Sequence, residues 1–418
     1  MITSSQKHML RDLVFLGISA LWLPLVIPML CILIPIGRFL SHQQRRRDIN
    51  PRILYGTYAL PDTMYRTLAD RQYGYDSHLL VWTPSYYNRA WEVPWHIQRF
   101  HLFYRMIGLP RYLGFLWSLL NFDIFQYYFD KQQLHDTVLQ DFELLLLKLA
   151  GKKIVISLYG SDVMVPKMHA YGDLDFYTLV VCDYPVMGGR KWRNQVRRNI
   201  DRASRYADCI ISSVPYLDVT PVIHIKRQTV TIDTKEWDLV PWKLRSKVRV
   251  VHAANHRTNK GTNAVIKVCR DLEAEGYPLE LVVVEKKPRE EAMLIYADAD
   301  IIIEQLLSGI FGMFGVECMA MGKPVIAYLR EDILEHHPWM VECPVINANP
   351  ATLRERLIEL LNDPDRRRKL GQAGRAYVEK YHSLEAIGAF DNQIYRHLWY
   401  GEGCLTALPN KTSPVPHE

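Results

Sequence analysis

The sequence predicts an α/β protein of two tandem Rossmann-like domains behind an N-terminal membrane-anchoring helix. Three observations carry that reading. An uncharged apolar run lies near the start, two series of short apolar runs alternate with amphipathic stretches behind it, and a polar stretch containing Pro241 separates the two series. At 418 residues the chain is long enough for two or three domains with large cores.

Residues 13–36 form the first element, 24 residues without a charge. As a helix this segment is about 36 Å long, against a hydrocarbon core of about 30 Å. It exceeds a signal-peptide apolar region, and no small-residue cleavage site follows it. Lys7 and Arg11 precede it, while Arg38, Arg45, Arg46 and Arg47 follow it, so the positive-inside rule puts the catalytic body in the cytoplasm. Pro24, Pro28 and Pro35 lack amide donors, which predicts a kinked span or a re-entrant path. Residues 1–48 are the expected anchor with its basic flank.

The first alternating series supplies expected strands at 52–56, 77–82, 124–128, 153–158, 179–182 and 209–212, with helices at 63–73 and 134–149. Such alternation predicts a mostly parallel sheet covered by helices. The second series has expected strands at 248–252, 279–284, 300–304, 324–327 and 345–346, with helices at 263–275, 351–361 and 364–380. The expected domains are therefore 49–235 and 236–400, followed by a disordered tail at 401–418.

Composition narrows the function classes. Apolar residues make up 49% and charged residues 23%, which excludes a disordered or collagen-like chain. Seven scattered cysteines without a Cys-x-x-Cys argue against a disulfide framework or a zinc site, and for a reducing compartment. The net charge of +6 is uneven: residues 38–52 carry +4, residues 190–205 carry +6, and the rest nets −4. Residues 190–205 read as a basic helix whose Trp192 and cations suit an anionic membrane surface, or as a plain solvated face. No aromatic-studded basic groove or nucleic-acid module is present, so no nucleic-acid partner is expected.

Several motifs are missing. There is no Gly-x-Gly-x-x-Gly, P-loop or Gly-x-Ser-x-Gly elbow. Asp298-Ala299-Asp300 precedes an apolar run, as a helix-to-strand turn does, whereas a metal-binding pair belongs beyond a strand's end. Neither a metal nor another cofactor is expected.

The informative segment is 308–328, SGIFGMFGVECMAMGKPVIAY. Gly309, Gly312 and Gly315 open the backbone to close approach, with Phe311 and Phe314 packing beneath. Glu317 then opens a helix that stops at Gly322. A glycine-rich loop entering a helix offers free amides to an anion, and the helix dipole adds attraction. This segment resembles the nucleotide-sugar signature of the GT-B glycosyltransferases, group 1 or family 4-like. The residues that carry the likeness are Phe314-Gly315, Glu317-Cys318-Met319-Ala320 and Gly322-Lys323-Pro324-Val325. The resemblance implies that Glu317 binds the nucleotide ribose, with Gly312, Phe314 and Gly315 in the donor site. An earlier glutamate of the family pattern, eight positions upstream, is replaced here by Gly309.

Two further stretches extend the likeness. Arg257 and Lys260-Gly261, after the strand at 248–252, match the cations that grip the donor diphosphate in the family. An arginine fork plus a lysine point charge suits a leaving pyrophosphate. In the first half, the segment ending Tyr159-Gly160-Ser161-Asp162 resembles the family's strand-to-loop piece, with Tyr159 in a histidine's place. The implied cleft holds Asp162 and Tyr159 as catalytic candidates, and Gly56-Thr57 as the opposing acceptor-side loop.

The resemblance implies a metal-independent retaining hexosyltransferase that takes a nucleotide-diphosphate sugar. The anchor adds a lipid or lipid-linked saccharide acceptor, in polysaccharide or glycolipid assembly. Two alternatives are a nucleotide-sugar epimerase and a non-catalytic binding or scaffold subunit of the same fold.

Overall fold

The computed structural model describes residues 14–58, 60–83, 108–130, 132–158, 160–163, 176–212, 222–227, 230–331, 334 and 338–405. Two parallel sheets dominate. The first holds β1 (Ile53–Tyr58), β2 (Ser77–Thr83), β3 (Ile124–Tyr128), β4 (Lys153–Ser157), β5 (Cys209–Ser212) and β6 (Ile225–Lys226), in the order β2-β1-β3-β4-β5-β6. The second holds β7 (Val248–Ala253), β8 (Leu279–Val284), β9 (Ile301–Ile303), β10 (Val325–Ala327) and β11 (Ile346–Asn347), in the order β11-β10-β9-β7-β8. Every named pairing is parallel. The expected α/β class with two Rossmann-like sheets is what the chain adopts.

The apolar N-terminal segment is helical at 14–20, turns at Leu21-Trp22, and continues as α1 (Leu23–Arg46). Pro24 sits in the first turn, where no donor is needed, and Pro28 and Pro35 lie inside the helix without ending it. The inner stripe of α1 is Val26, Leu30, Gly37 and Ser41, and the apolar members of that stripe join the core beneath the first sheet. A Cβ at Gly37 would lie 2.6 Å from the carbonyl oxygen of Leu119, so only glycine permits this crossing with α3 (Leu109–Asn121).

Two elements differ from expectation. The run at 179–182 was expected as a strand but belongs to a helix, α5 (Phe176–Asp183). Four apolar residues fit either element, and the fifth sheet position is filled by Cys209–Ser212. The expected helix at 134–149 shrinks to α4 (Glu143–Leu149). The buried Glu143 carboxylate accepts the backbone N–H of Gln133 (3.0 Å) and Leu134 (2.6 Å), which holds the preceding residues in turns. Burial pushes the pKa of Glu143 up to about 7.

The basic helix is α6 (Arg190–Tyr206), but its tryptophan points the other way from a headgroup contact. Trp192 packs against the core formed by Val196, Ile200 and Ala203, while Arg190, Lys191, Arg197, Arg198 and Arg205 are exposed. Asp298 and Asp300 face Arg245 and Arg249 at the entry to β9, as a helix-to-strand turn would.

The closing helices part company. The helix Pro364–Tyr381 stays on the second domain, whereas the last one, Leu384–Tyr400, crosses back and packs Phe390, Ile394, Tyr395 and Leu398 on the first sheet. Leu405, inside the expected tail, is buried in the same cluster, residues 401–404 before it are exposed, and 406–418 lie outside the described residues. The domain boundary expected at residue 400 therefore does not describe where this helix is packed.

One helix ties the parts together: α2 (Pro61–Gln72), in which Asp62, Tyr65, Arg66 and Asp70 are all buried. Arg66 donates to Asp391 through Nη2 (2.6 Å) and Nε (3.0 Å), and through Nη1 to Ser157 Oγ (3.0 Å). Asp62 accepts from Thr231 N (2.8 Å) and Tyr128 Oη (3.1 Å), fixing the crossing segment on the sheet. Removing one partner of a buried ion pair strands the other charge away from water. Arg66→Met and Asp391→Leu are each expected to cost about 3–5 kcal/mol of stability by urea denaturation. A loss below about 1 kcal/mol, the range of an exposed pair, would contradict this account.

Candidate functional site

The second sheet positions the main site, because its strand order reverses between β7 and β9, whose carboxyl ends lie side by side. After β7 the chain forms a helical turn, α7 (Arg257–Lys260), and then α8 (Thr262–Ala274). His252 anchors this turn from below. Its Nδ1 faces the carbonyl of Ile303 (2.8 Å) and its Nε2 meets Thr262 Oγ1 (2.9 Å), which joins β7, β9 and α8. Burial lowers its pKa to about 4, so the ring is neutral, donating from Nδ1 and accepting at Nε2.

After β9 comes Glu304, which sequence reasoning missed. Its side chain is fully buried, pairs with the ammonium of Lys260, and accepts the N–H of Gly312 at 3.2 Å. Glu304 therefore braces two predicted donor-site residues at once. A signal was available: a carboxylate directly after Ile301–Ile303 stands at the ligand-facing end of a parallel strand. Gly315 packs over the same side chain, where a Cβ would lie 3.3 Å from Phe311 Cβ and 3.5 Å from Glu304 Cγ.

Gly312 is the N-cap of α10 (Met313–Ala320), so Glu317 lies in the second turn and does not open the helix as expected. Phe311 is buried as expected, while Phe314 is half-buried with its ring 4.7 Å from Tyr296. Glu317 is partly accessible on the cleft wall. Burial raises its pKa to about 8, opposed by Arg289 and reinforced by Glu236. Arg289, also missed from sequence, begins α9 (Arg289–Ala297) and donates to Tyr65 Oη (2.8 Å) and Glu236 (3.1 Å), joining the two domains beside Glu317.

Gly309 takes φ = +81°, and a Cβ there would collide with the Arg330 side chain. The position that carries a glutamate in the resembling family is thus occupied by the flank of an arginine, with the backbone in a glycine-favouring conformation.

The first domain supplies the opposite wall. Asp183, at the end of α5, accepts from Asn259 N (2.9 Å) and Thr258 N (3.3 Å). These two bonds tie the turn after β7 to the end of α5. Arg257 is half exposed with Glu285 at 3.5 Å. Asp162 is buried, and its oxygens accept Gly160 N (2.7 Å) and Phe129 N (3.2 Å), organising the loops after β3 and β4. Gly56 and Thr57, expected as a loop, are buried inside β1 and pair with Leu80 and Val81 of β2, and a Cβ at Gly56 would lie 3.0 Å from the Tyr127 ring. Tyr159 lies outside the described residues. Among the described residues no cluster of three His, Cys, Asp or Glu side chains offers a metal site.

Comparison with known proteins bears on the fold and on the second domain. Residues 246–389, about a third of the chain, match the family described as "Glycosyl transferase-like". An uncharacterized glycosyltransferase of Methanocaldococcus jannaschii is 35% identical over 92 residues, 21% of this chain and 25% of its own length. The match thus spans a quarter of that relative. Sucrose-phosphate synthase from Thermosynechococcus elongatus superposes with a TM-score of 0.52 at 14% identity, over 84% of this chain and 100% of its own. A glycosyltransferase from Rickettsia africae gives 0.49 at 11% identity, over 84% and 100%. The fold is that of the GT-B glycosyltransferases, and the second domain is glycosyl transferase-like in sequence.

The Glu317 carboxyl is expected to titrate near pH 8, well above the ordinary 4.5, in spectra of protein carrying 13C-labelled glutamate. Glu317→Gln should remove that transition. A midpoint near 4.5 in the folded protein would contradict the enclosure described for this side chain.

Proposed function

We propose that the protein is a membrane-associated glycosyltransferase that moves a sugar, with retention, from a nucleotide-diphosphate sugar to a lipid-linked acceptor. The observation that supports this reading is that Glu304 ties Lys260 to the Gly312 loop at the ends of β7 and β9 in a GT-B fold, with Arg257 and Glu317 carried on the same two segments. Glu317 would accept hydroxyl hydrogens from the ribose. Such bonds are strongest to an ionised carboxylate, so the contribution of Glu317 grows as the pH rises through 8.

Bond cleavage at the anomeric carbon leaves negative charge on the departing diphosphate. Arg257 and Lys260 would carry that charge, because fixed cations in a water-poor cleft stabilise a developing anion more than water does. Lys260 is already neutralised by Glu304, so the arriving diphosphate shares the ammonium with a buried carboxylate. The thermodynamic consequence is that Lys260 stays ordered and aimed between donor encounters. No metal is part of this proposal; Arg257 and Lys260 are the groups that would meet the diphosphate.

The membrane reading rests on α1. It is long and apolar enough to cross a bilayer, with mean hydropathy 2.1 and only 17% of its apolar window buried. Arg38, Arg45, Arg46 and Arg47 behind it favour the anionic cytoplasmic leaflet, which supports a cytoplasmic location of the two domains. An acceptor held in the same bilayer gives that helix a purpose that a soluble acceptor would not.

The full-length protein in vesicles containing a polyprenyl-phosphate-linked saccharide, given a panel of radiolabelled nucleotide sugars, is expected to pass label into the solvent-extractable lipid fraction. Glu317→Ala should lower affinity for the free nucleotide diphosphate at pH 9 by about tenfold or more, the scale of a charge-assisted hydrogen bond, with an unchanged melting temperature. Label found only in an isomerised nucleotide sugar would make the protein an epimerase, and failure to bind any nucleotide would make it a scaffold.

A further inference from the structure

We infer that the N-terminal helical segment lies in the plane of one membrane leaflet, along its surface, and does not cross the bilayer. The inference deepens the membrane part of the proposed function. It rests on how residues 14–46 are held. Near one end Phe15 and Ser19 are buried, and Ser19 Oγ accepts the backbone N–H of Val138 at 3.2 Å. Near the other, Ser41 Oγ donates to Asp123 (2.6 Å), and the fully buried Lys152 ammonium donates to Ser41 Oγ (2.8 Å) and to the carbonyl of Gly37 (3.3 Å).

Between these locks the stripe Val26, Leu30, Leu33 and Gly37 packs on the first domain. From Val26 to Ser41 the docked stretch of helix is about 22 Å long at the standard rise per residue. A perpendicular span would carry Asp123, Lys152 and Arg52 into hydrocarbon together with the helix, since Arg52 also pairs with Asp123 (3.0 Å). Burying this many charges in lipid costs more than leaving the segment on the surface.

The outward side of the same layer is shaped for a leaflet. Leu25, Ile32, Ile36 and Phe39 are exposed on α1, at spacings that share one helical face, and the neighbouring α3 exposes Leu113 and Trp117. Exposed large apolar side chains gathered on adjoining helices mark an interaction surface. Alongside this face lies an open recess of about 580 Å³ lined by Pro35, Arg38, Phe39, His42, Arg45 and Gly151. Apolar Pro35 and Phe39 beside Arg38 and Arg45 suit the junction of an acyl chain with an anionic headgroup. The occupant is therefore a bilayer leaflet with anionic lipid.

Two measurements on the full-length chain test this. With epitope tags at both ends and protein bound to sealed vesicles, both tags are expected to stay accessible from the side of addition. Protection of the N-terminal tag alone would overturn the inference. In flotation assays, phosphatidylcholine vesicles mixed with phosphatidylglycerol should bind at least tenfold more tightly than phosphatidylcholine alone, and Arg38→Gln with Ile36→Asn should remove most of that difference. Equal binding to both, or self-association through these residues in lipid-free buffer, would contradict it. Nucleotide affinity, measured on the same variants, is expected to stay at the wild-type value, which reports folding and keeps this test separate from that of the donor site.

Discussion

The buried Arg66–Asp391 pair is the constraint on which the relation between the two halves depends. A guanidinium enclosed by protein has to be matched by a carboxylate, and the matching carboxylate comes from more than three hundred residues away, on the last helix. Around it Tyr55, Gln126, Tyr395 and Asp70 close a hydrogen-bonded network, with Tyr395 Oη donating to Asp70 at 3.0 Å and Gln126 Nε2 donating to Tyr395 Oη at 2.8 Å. Such a network has few alternative partners, so it specifies one seat for the helix Leu384–Tyr400. With that helix seated, α2 is fixed. With α2 fixed, Tyr65 meets Glu236 and Arg289 beside the cleft wall that carries Glu317.

The candidate site shows the same economy of buried charge. Lys260 and Glu304 neutralise one another, Glu304 also takes the Gly312 amide, and His252 stays neutral between two strands and a helix. The glycine-rich loop is therefore held from below by Glu304, which takes the Gly312 amide and pairs with Lys260 at once. Asp183 reaches the amides of Thr258 and Asn259 from the other domain. Its carboxylate links the turn after β7 to the first domain.

Much of this was legible in the sequence where the signal is local. Strands Ile124–Tyr128, Cys209–Ser212 and Leu279–Val284 end where their apolar runs end. The loop at 308–322 announced itself through glycine spacing and the residues that follow it. What escaped were features decided by distant partners. The run at 179–182 is equally apolar as strand or helix, and the choice falls to its packing against the turn at Arg257–Lys260. The docking of α1 depends on Lys152, Ser41 and Asp123, which no window of sequence brings together. Glu304 looked like the end of a strand until Lys260 was seen against it. The family-like glutamate site at Gly309 could be read as a substitution, but not as a position pressed by Arg330.

The central claim is that residues 257–262 and 308–317 form one nucleotide-diphosphate cradle across the carboxyl ends of β7 and β9. Hydrogen–deuterium exchange of the full-length protein with and without a nucleotide diphosphate tests it most directly. The account predicts slowed exchange at the amides of both segments together, with little change along β2 or α11 (Leu353–Asn362), which lie away from the cleft. Slowed exchange confined to the first domain, with residues 257–262 and 308–317 unaffected at saturating nucleotide, would contradict it.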